Sequence, residues 1–389
     1  MQFSQLSEFF SKLENTASRN EMTLILADLF KKSSQEEIGY ICYLLQGRVL
    51  PLFEPIEFGL ADKMMIKAIA RAYGKKEEEV NSLFKKRGDL GITGQELGIK
   101  ELKNPGIKEL KINEVYEALY NLAITSGAGS VEKKVGILSK LLQNSDPLSV
   151  RYIIRITLAK LRLGFSDMTI LDGLSWMVTG NKSERKNIEA AYNVRPDLGF
   201  IAKTVKELKN KGIKQLRNLR IKPEIGVPIL MARAERLSSG EEIIKKIGRC
   251  GVEYKYDGFR IQVHFSKELT NKETPGLFDE DKKSFMRLFS RNLEDVTSMY
   301  PDIVKGVVDQ IKAKEAIFEG EAIAFNPKTG EYLPFQETVQ RKRKYDIGQK
   351  SIDIPLKLIV FELLYIDGES LIEKPWEERR RRLEKIFNF

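Results

Sequence analysis

The segment VEYKYDGFRIQVHF, which starts at Val252, places Lys255 two residues before Asp257-Gly258 and five residues before Arg260. Period-two alternation puts Val252, Tyr254 and Tyr256 on one face of a first strand and Glu253 with Lys255 on the other. In the following run Phe259, Ile261, Val263 and Phe265 alternate against Arg260, Gln262 and His264. An Asp-Gly pair between two such runs reads as a hairpin with a type I′ turn, so the charges converge at the turn. A lysine beside an arginine and partly desolvated has its neutral amine favoured, which is what a nucleophilic lysine needs. An ordinary hairpin that happens to carry a lysine is the alternative.

In AIFEGEAIAFNP, Glu319 and Glu321 share a strand face. Paired carboxylates suit a hard divalent cation or a ribose hydroxyl, and exposed strand carboxylates are the alternative. The run PLKLIVFELLYIDG is almost continuously apolar, which predicts a strand buried on both faces. Phe361 in its middle fits either a core or a nucleobase-stacking position. His264, the only histidine, reads as structural rather than catalytic. Cys42 and Cys250 lie far apart and form no CxxC pair, which excludes a disulfide scaffold and a cysteine zinc site and fits a reducing, cytoplasmic setting.

The elements that must position these residues follow from the rest of the chain. At 389 residues, with 42% hydrophobic and 31% charged residues, two or three globular domains are expected and a disordered or low-complexity chain is excluded. No apolar run approaches the ~20 residues that span a bilayer, so no membrane partner is expected. The first half reads as helices. Ser34 and Glu37 have capping-box spacing before Ile38, Ile41, Leu44 and Leu45; Asp62 is placed to cap a helix closed by Gly74; and Asp146-Pro147 opens a helix expected to carry Ile153, Ile154, Thr157, Leu158 and Leu161. From Val252 the period becomes two. Pro223, Gly226 and Pro228 punctuate the boundary, giving a helical domain over residues 1–216, a linker over 217–227 and a sheet-containing domain over 228–389.

The net charge of +10 is not evenly spread: residues 151–250 hold 21 Lys/Arg against 10 Asp/Glu, while the flanking segments are close to balanced. Such a basic segment suits a polyanion, because Lys and Arg release counterions from phosphate backbones; simple solubility is the alternative. Gly127-Ala128-Gly129-Ser130 precedes a helix with Lys133 and Lys134 in its first turn, so free amides and two ammonium groups could meet one phosphate. Arg155, Lys160, Arg162 and Gly164, near the end of the next helix, suit a similar grip. The runs Arg341 to Lys344 and Arg379 to Arg382 read by default as solvated faces.

The blocks EYKYDGFR, LFSRN, FEGEAIAF, FQETVQRKRKYDI and IVFELLYIDGESL, in this order, resemble the successive motifs of ATP-dependent DNA ligases of the archaeal and eukaryotic type. Upstream, SGAGSVEKKVGILSKLL, YIIRITLAKLRLGFSDMTILDGL and IGVPILMARA are similar to that family's helical DNA-binding half, so the likeness covers essentially the whole chain. The resemblance implies an all-helical DNA-binding domain followed by an ATP-grasp-like nucleotidyltransferase (adenylation) domain with antiparallel sheets. It implies that Lys255 attacks the ATP α-phosphate, that Glu253 reads the adenine edge, that Arg260 contacts the nucleotide, that Arg291 and Glu321 hold the ribose side or a Mg2+ ion, and that Phe361 stacks on adenine. Glu319 is variable in the family. The Arg341 to Lys344 run lies in a family block and is a candidate DNA contact. Nicked double-stranded DNA is the implied substrate and replication, repair and recombination the implied settings. A cytoplasmic, nucleoid-associated monomer is expected, with a sliding clamp as a conceivable partner that the residues do not show.

Two departures accompany the likeness. KELTNKETPGLFDEDKKSF between His264 and Arg291 is longer than a short hairpin, and the EGxxxK block, the KxDY-like block and the OB-fold domain are not found. The expectation is therefore a truncated adenylation domain with weak or no nick sealing by this chain. The competing readings are a non-catalytic DNA-binding fragment and another KxDG nucleotidyltransferase of the RNA ligase or capping type; the latter leaves the helical half unexplained. An NAD-dependent ligase is disfavoured, since nothing resembles the NAD-specific segment.

Overall fold

The computed structural model describes residues 1–100, 109–268, 284–341 and 347–387. The chain divides into two compact units. The first comprises Met1–Pro51, Ile56–Tyr192 and Asp197–Arg220; the second comprises Ile221–Phe389 with the short stretches Leu52–Pro55 and Asn193–Pro196.

The first unit is helical. Its helices are α1 (Phe3–Glu14), α2 (Arg19–Lys32), α3 (Gln35–Leu45), α4 (Asp62–Tyr73), α5 (Glu77–Arg87), α6 (Leu90–Lys100) and α7 (Ile112–Ile124). They continue as α8 (Ser130–Gln143), α9 (Pro147–Thr157), α10 (Asp167–Thr179), α11 (Arg185–Val194), α12 (Leu198–Lys211) and α13 (Ile213–Arg217). The local signals explain many ends. Ser34 and Glu37 form the capping box of α3, Gly74 closes α4 in the left-handed conformation, and Asp146 accepts from the Leu148 and Ser149 amides at the start of α9. Two details differ from the sequence reading. Ala61 is the N-cap of α4 and Asp62 is its first helical residue, and α9 stops at Thr157, leaving Leu158 and Leu161 in the following loop. The main packed pairs are α2 on α10, α3 on α12, α4 on α8 and α6 on α9. Close approach of α6 to α9 depends on Gly94, where a Cβ would lie 2.4 Å from Ile154 Cδ1.

The second unit is built on a five-stranded antiparallel sheet of order β2-β1-β3-β4-β5, with β1 Phe259–Ser266, β2 Phe285–Ser290, β3 Glu315–Ala324, β4 Leu356–Ile366 and β5 Glu369–Ser370. Its helices are α14 (Gly240–Ile247), α15 (Pro301–Gln310), α16 (Phe335–Val339), α17 (Ile347–Asp353) and α18 (Trp376–Leu383). Ile261, Val263 and Phe265 of β1 join Phe318 of β3, Leu363 of β4, Val304 of α15 and Leu383 of α18 in one core. The alternate residues of β1 therefore face the other side, and the pairing aligns Arg260 with Glu321 and Gln262 with Glu319 on that face.

Three expectations about this unit are corrected. The expected hairpin over residues 252–265 does not form: residues 251–257 have no regular structure, β1 starts at Phe259, and it pairs with β2 and β3. Gly258 is not among the left-handed glycines; a Cβ there would lie 2.2 Å from Ala322 O, so the glycine serves close approach to β3 and not a type I′ turn. Nor is β4 buried on both faces. Leu356 and Leu363 are buried, whereas residues 358–362 are only half-buried because the non-core face of the sheet opens into a cleft. The stretch read as a linker over 217–227 is divided: from Ile221 the chain packs in the second unit, where Val227 joins Phe53, Phe289 and Leu293 in a small apolar cluster. Of the long insertion between His264 and Arg291, residues 269–283 lie outside the described residues.

Candidate active site

A cleft of about 1310 Å³ opens on the second unit, and Lys255, Glu253, Arg260, Arg291, Glu321 and Phe361 all line it. Arg260 and Glu321 come from paired positions on β1 and β3. Phe361 reaches the cleft through an irregularity that periodicity does not show. Opposite the consecutive residues Glu319 and Gly320 of β3 stand Glu362 and Val360 of β4, so Phe361 between them is the extra residue of a β-bulge. The bulge aims its ring at Arg260, whose guanidinium carbon lies 5.7 Å from the ring centroid. Gly320 permits this tight passage of β4, since a Cβ there would meet Ile359 O at 2.9 Å.

The electrostatics of the strand-borne part are specific. Burial pushes the Glu321 carboxyl above its ordinary range, against the opposing pull of Lys255, a Gly258 N–H bond and Arg260. Burial likewise pulls the Arg260 guanidinium below its usual value, opposed by Glu321 and Glu362. Arg260 Nη2 donates to Glu319, which is itself almost fully buried. Glu319 is thus held as Arg260's partner and is not a free strand carboxylate.

The lysine-bearing part differs from expectation. Lys255 is exposed, and its ammonium donates to Tyr256 O at 3.0 Å; the partial burial expected around it is not there. Glu253 is exposed too, with Arg380 of α18 3.8 Å away. Val252 and Tyr254 are 92% and 85% exposed, and no residue of α14 is buried. His264 is fully buried with both ring nitrogens bonded, as a structural histidine should be.

Several lining residues escaped the sequence reading. Met231 and Arg233 belong to the IGVPILMARA block, which was recognised without assigning its side chains to a site. Tyr300, stacked on Phe259 at 4.9 Å, and Trp376 of α18 had no short-range signal and arrive only through the fold, while Arg380, read as part of a solvated run, lines the cleft. Among the described residues, no group of three or more His, Cys, Asp or Glu gathers as a metal site.

Comparison with known proteins accounts for both units. Residues 2–175 match the DNA ligase N terminus family, and residues 276–388 match the ATP dependent DNA ligase domain family. Each half of the chain thus matches a DNA ligase domain, the second one of the ATP-dependent kind. A probable DNA ligase of Dictyoglomus thermophilum is 46% identical over 385 residues, covering 99% of this chain and 62% of that protein. DNA ligase 2 of Thermofilum pendens is 44% identical over 393 residues, covering 99% and 62%, and a DNA ligase of Sulfolobus acidocaldarius is 39% identical over 396 residues, covering 99% and 63%. The chain thus spans about 62% of the length of the first two of these relatives.

In the helical domain the candidate phosphate-binding residues separate into two groups. Gly127 and Gly129 are left-handed and exposed, Ser130 begins α8 with Gly129 as its N-cap, and Lys133 is exposed. Lys134 turns inward instead, where its Nζ donates to Phe58 O at 2.6 Å and burial lowers its pKa. Arg155 is also withdrawn: it is buried between Glu14 at 2.9 Å and Asp89 at 3.1 Å, and so holds α9 to α1 and to the start of α6. Both correct the expectation of a free basic contact, because helical period alone does not say which face of a helix is inward. Past α9, Leu161 and Leu163 are buried while Lys160, Arg162 and Gly164 are exposed. Lys160 pairs with Asp62 at 2.7 Å, and Arg162 sits in the left-handed region at φ +51°, a strained position for a non-glycine residue.

The two basic runs are likewise resolved in part. Arg341 is buried and donates to Asp302 at 2.6 Å, so it is not a solvated face or a DNA contact, while Lys342, Arg343 and Lys344 lie outside the described residues. In the second run Arg379 pairs with Glu362 at 2.7 Å and Arg382 with Glu369 at 2.6 Å, tying α18 to the sheet. Among the described residues no helix is long and apolar enough to cross a membrane.

Proposed function

We propose that this chain binds ATP in the sheet-domain cleft and transfers AMP to Lys255, as the first step of DNA strand sealing by the ligase of which it forms the N-terminal and adenylation domains. The observation that carries the reading is the convergence on one cleft of Lys255, Glu253, Arg260, Arg291, Glu321 and Phe361, which lie up to about a hundred residues apart in sequence. In the step itself the Lys255 nitrogen forms a bond to the α-phosphorus, the bond from that phosphorus to the bridging oxygen breaks, pyrophosphate leaves, and the amine gives up a proton. Phe361 offers a face for the base, Arg260 a charge for the phosphate or ribose, and Glu321 a carboxylate beside the lysine.

Mg2+ suits a site with one or two carboxylates because the nucleotide's phosphates complete the coordination; here Glu321 would help hold it, and it would neutralise charge developing on the phosphates. In the complete ligase the AMP passes to the 5′-phosphate of a nick, and the 3′-hydroxyl displaces it. The exposed Gly127 to Gly129 turn with Lys133 in the first turn of α8, and the Lys160 to Gly164 loop, support a grip on duplex backbone that reads no bases. Use of this activity in replication, repair and recombination belongs to the same proposal.

The test is incubation of the chain with α-labelled ATP and magnesium. Covalent label on the wild type and none on Lys255→Ala is expected; equal label on both refutes the nucleophile. The exposure of Lys255 and its neighbours favours one second reading, a DNA-binding fragment without catalysis. It requires salt-sensitive duplex binding with no label on either protein. Arg162→Ala is expected to weaken duplex binding severalfold and to flatten the salt dependence by about one unit of log–log slope, measured by fluorescence anisotropy.

A further inference from the structure

Behind the cleft, three buried polar side chains form an unbroken chain of hydrogen bonds that ends at Arg260. Gln262, His264 and Glu319 are each no more than 5% exposed. The Gly226 N–H donates to His264 Nδ1 at 3.1 Å, so the ring proton must sit on Nε2, which donates to Gln262 Oε1 at 2.9 Å. That same oxygen accepts the Ile229 N–H at 2.7 Å. The amide nitrogen of Gln262 donates to Ile229 O at 2.9 Å and to Glu319 Oε1 at 2.8 Å, and the other oxygen of Glu319 takes the Arg260 guanidinium. Both lone pairs and both N–H groups of the Gln262 amide are therefore used, which leaves it a single orientation.

Two parts of the cleft wall hang on this amide. One is Arg260, through Glu319. The other is the extended segment leading to Met231 and Arg233, whose main chain is clasped at Ile229 by two bonds of the kind a neighbouring strand would make. Arg287 clasps the same segment from its other side, donating to Gly226 O at 3.3 Å. A guanidinium held only by solvent would sample many rotamers; one gripped by a buried carboxylate, itself oriented by a fully bonded amide, is pre-organised.

We infer that Gln262, oriented by His264, is a positioning residue that acts through Glu319 to fix Arg260 for ATP and to pin the Met231 wall of the same cleft. The inference rests on the proposed transfer of AMP to Lys255, and its test separates the two.

Single-turnover labelling and equilibrium ATP binding are measured on the full chain for the wild type, Gln262→Met, Arg260→Ala and the double variant, with thermal unfolding followed in parallel. Gln262→Met removes the polar atoms while keeping side-chain length. It is expected to raise the half-saturating ATP concentration about tenfold, with a smaller change in rate at saturation. In the double variant it should add less than twofold to the effect of Arg260→Ala, because both disrupt one contact. Effects that multiply, or an unchanged ATP dependence in a folded Gln262→Met, overturn the inference. If Gln262→Met does not fold, Glu319→Gln, which keeps shape and drops the charge facing Arg260, is put through the same cycle with the same criteria. Label on the wild type with a multiplicative cycle leaves AMP transfer standing and removes the relay. ATP binding without label removes the transfer, and the relay is then judged on the binding cycle alone. Neither binding nor label overturns both.

Discussion

Arg260 and Lys255 are five residues apart and line the same cleft, yet they are held in different ways. Arg260 stands on a strand with partners on both sides, grips a buried carboxylate and lies against Phe361. Lys255 belongs to an irregular, exposed stretch whose side-chain bond is to the carbonyl of the next residue. The segment before it is equally open: α14 has an apolar edge of Ile243, Ile244 and Ile247, all exposed. The difference separates recognition from chemistry. The strand-borne groups suited to holding a nucleotide, Arg260, Glu321 and Phe361, are partly buried and pre-organised, whereas Glu253 and Arg291 are exposed and the group suited to attack rides on a segment with little packing, the kind that moves at low energetic cost.

The largest effect that sharpens this contrast is expected from Lys255→Ala: covalent label falls below about one hundredth of the wild type, while thermal stability is unchanged, because an exposed side chain with one local bond contributes little to folding. A melting temperature lowered by several degrees would show Lys255 to be part of a packed structure after all. Next, Glu319→Ala strips the partner from Arg260 and from Gln262 and is expected to destabilise the sheet domain by about 3 kcal/mol in denaturant titrations, the usual result of breaking a buried pair. Stability equal to wild type would refute the pre-organised floor.

A smaller effect comes from His264. Burial, reinforced by Arg287, pushes its pKa down to about 3 from an ordinary 6.5. The unfolded chain therefore binds a proton between those values that the folded chain does not, so this contribution to stability is complete above about pH 6.5 and is lost as pH falls toward 3. The sheet domain is expected to lose up to about 1.4 kcal/mol per pH unit across that window, and His264→Gln should reduce the slope in unfolding curves taken from pH 7 to 4.5. An identical slope in the variant would show that other groups set the acid limit. Least of all, Val252→Ser and Tyr254→Ser should change stability by less than about 0.5 kcal/mol, since neither removes buried surface. A larger loss would mean that the lysine segment packs in solution.

The six residues proposed for the nucleotide site are legible because each stands in or beside a short ordered block that resembles a family motif. Glu319 illustrates the limit. Period two placed it beside Glu321, and both do lie on one face, but no pattern showed that one is half-buried and the other locked to an arginine. Lys134 and Arg155 show the same limit in the helical domain, where spacing found their helices but burial decided that they serve Phe58, Glu14 and Asp89.

The sequence by itself determined the helical character of the first domain, the change to strands and several helix caps, because these depend on local stereochemistry, and its likeness to a known family pointed to six of the residues that line the cleft. Only the tertiary structure decided that Asp257-Gly258 is no hairpin turn, that Phe361 is delivered by a bulge, and that Gln262 and His264 connect residues 226–229 to Arg260. The physical reason is the same in each case. Register, close backbone approach and the satisfaction of buried polar groups are set by partners tens of residues away, and a linear pattern carries no term for them.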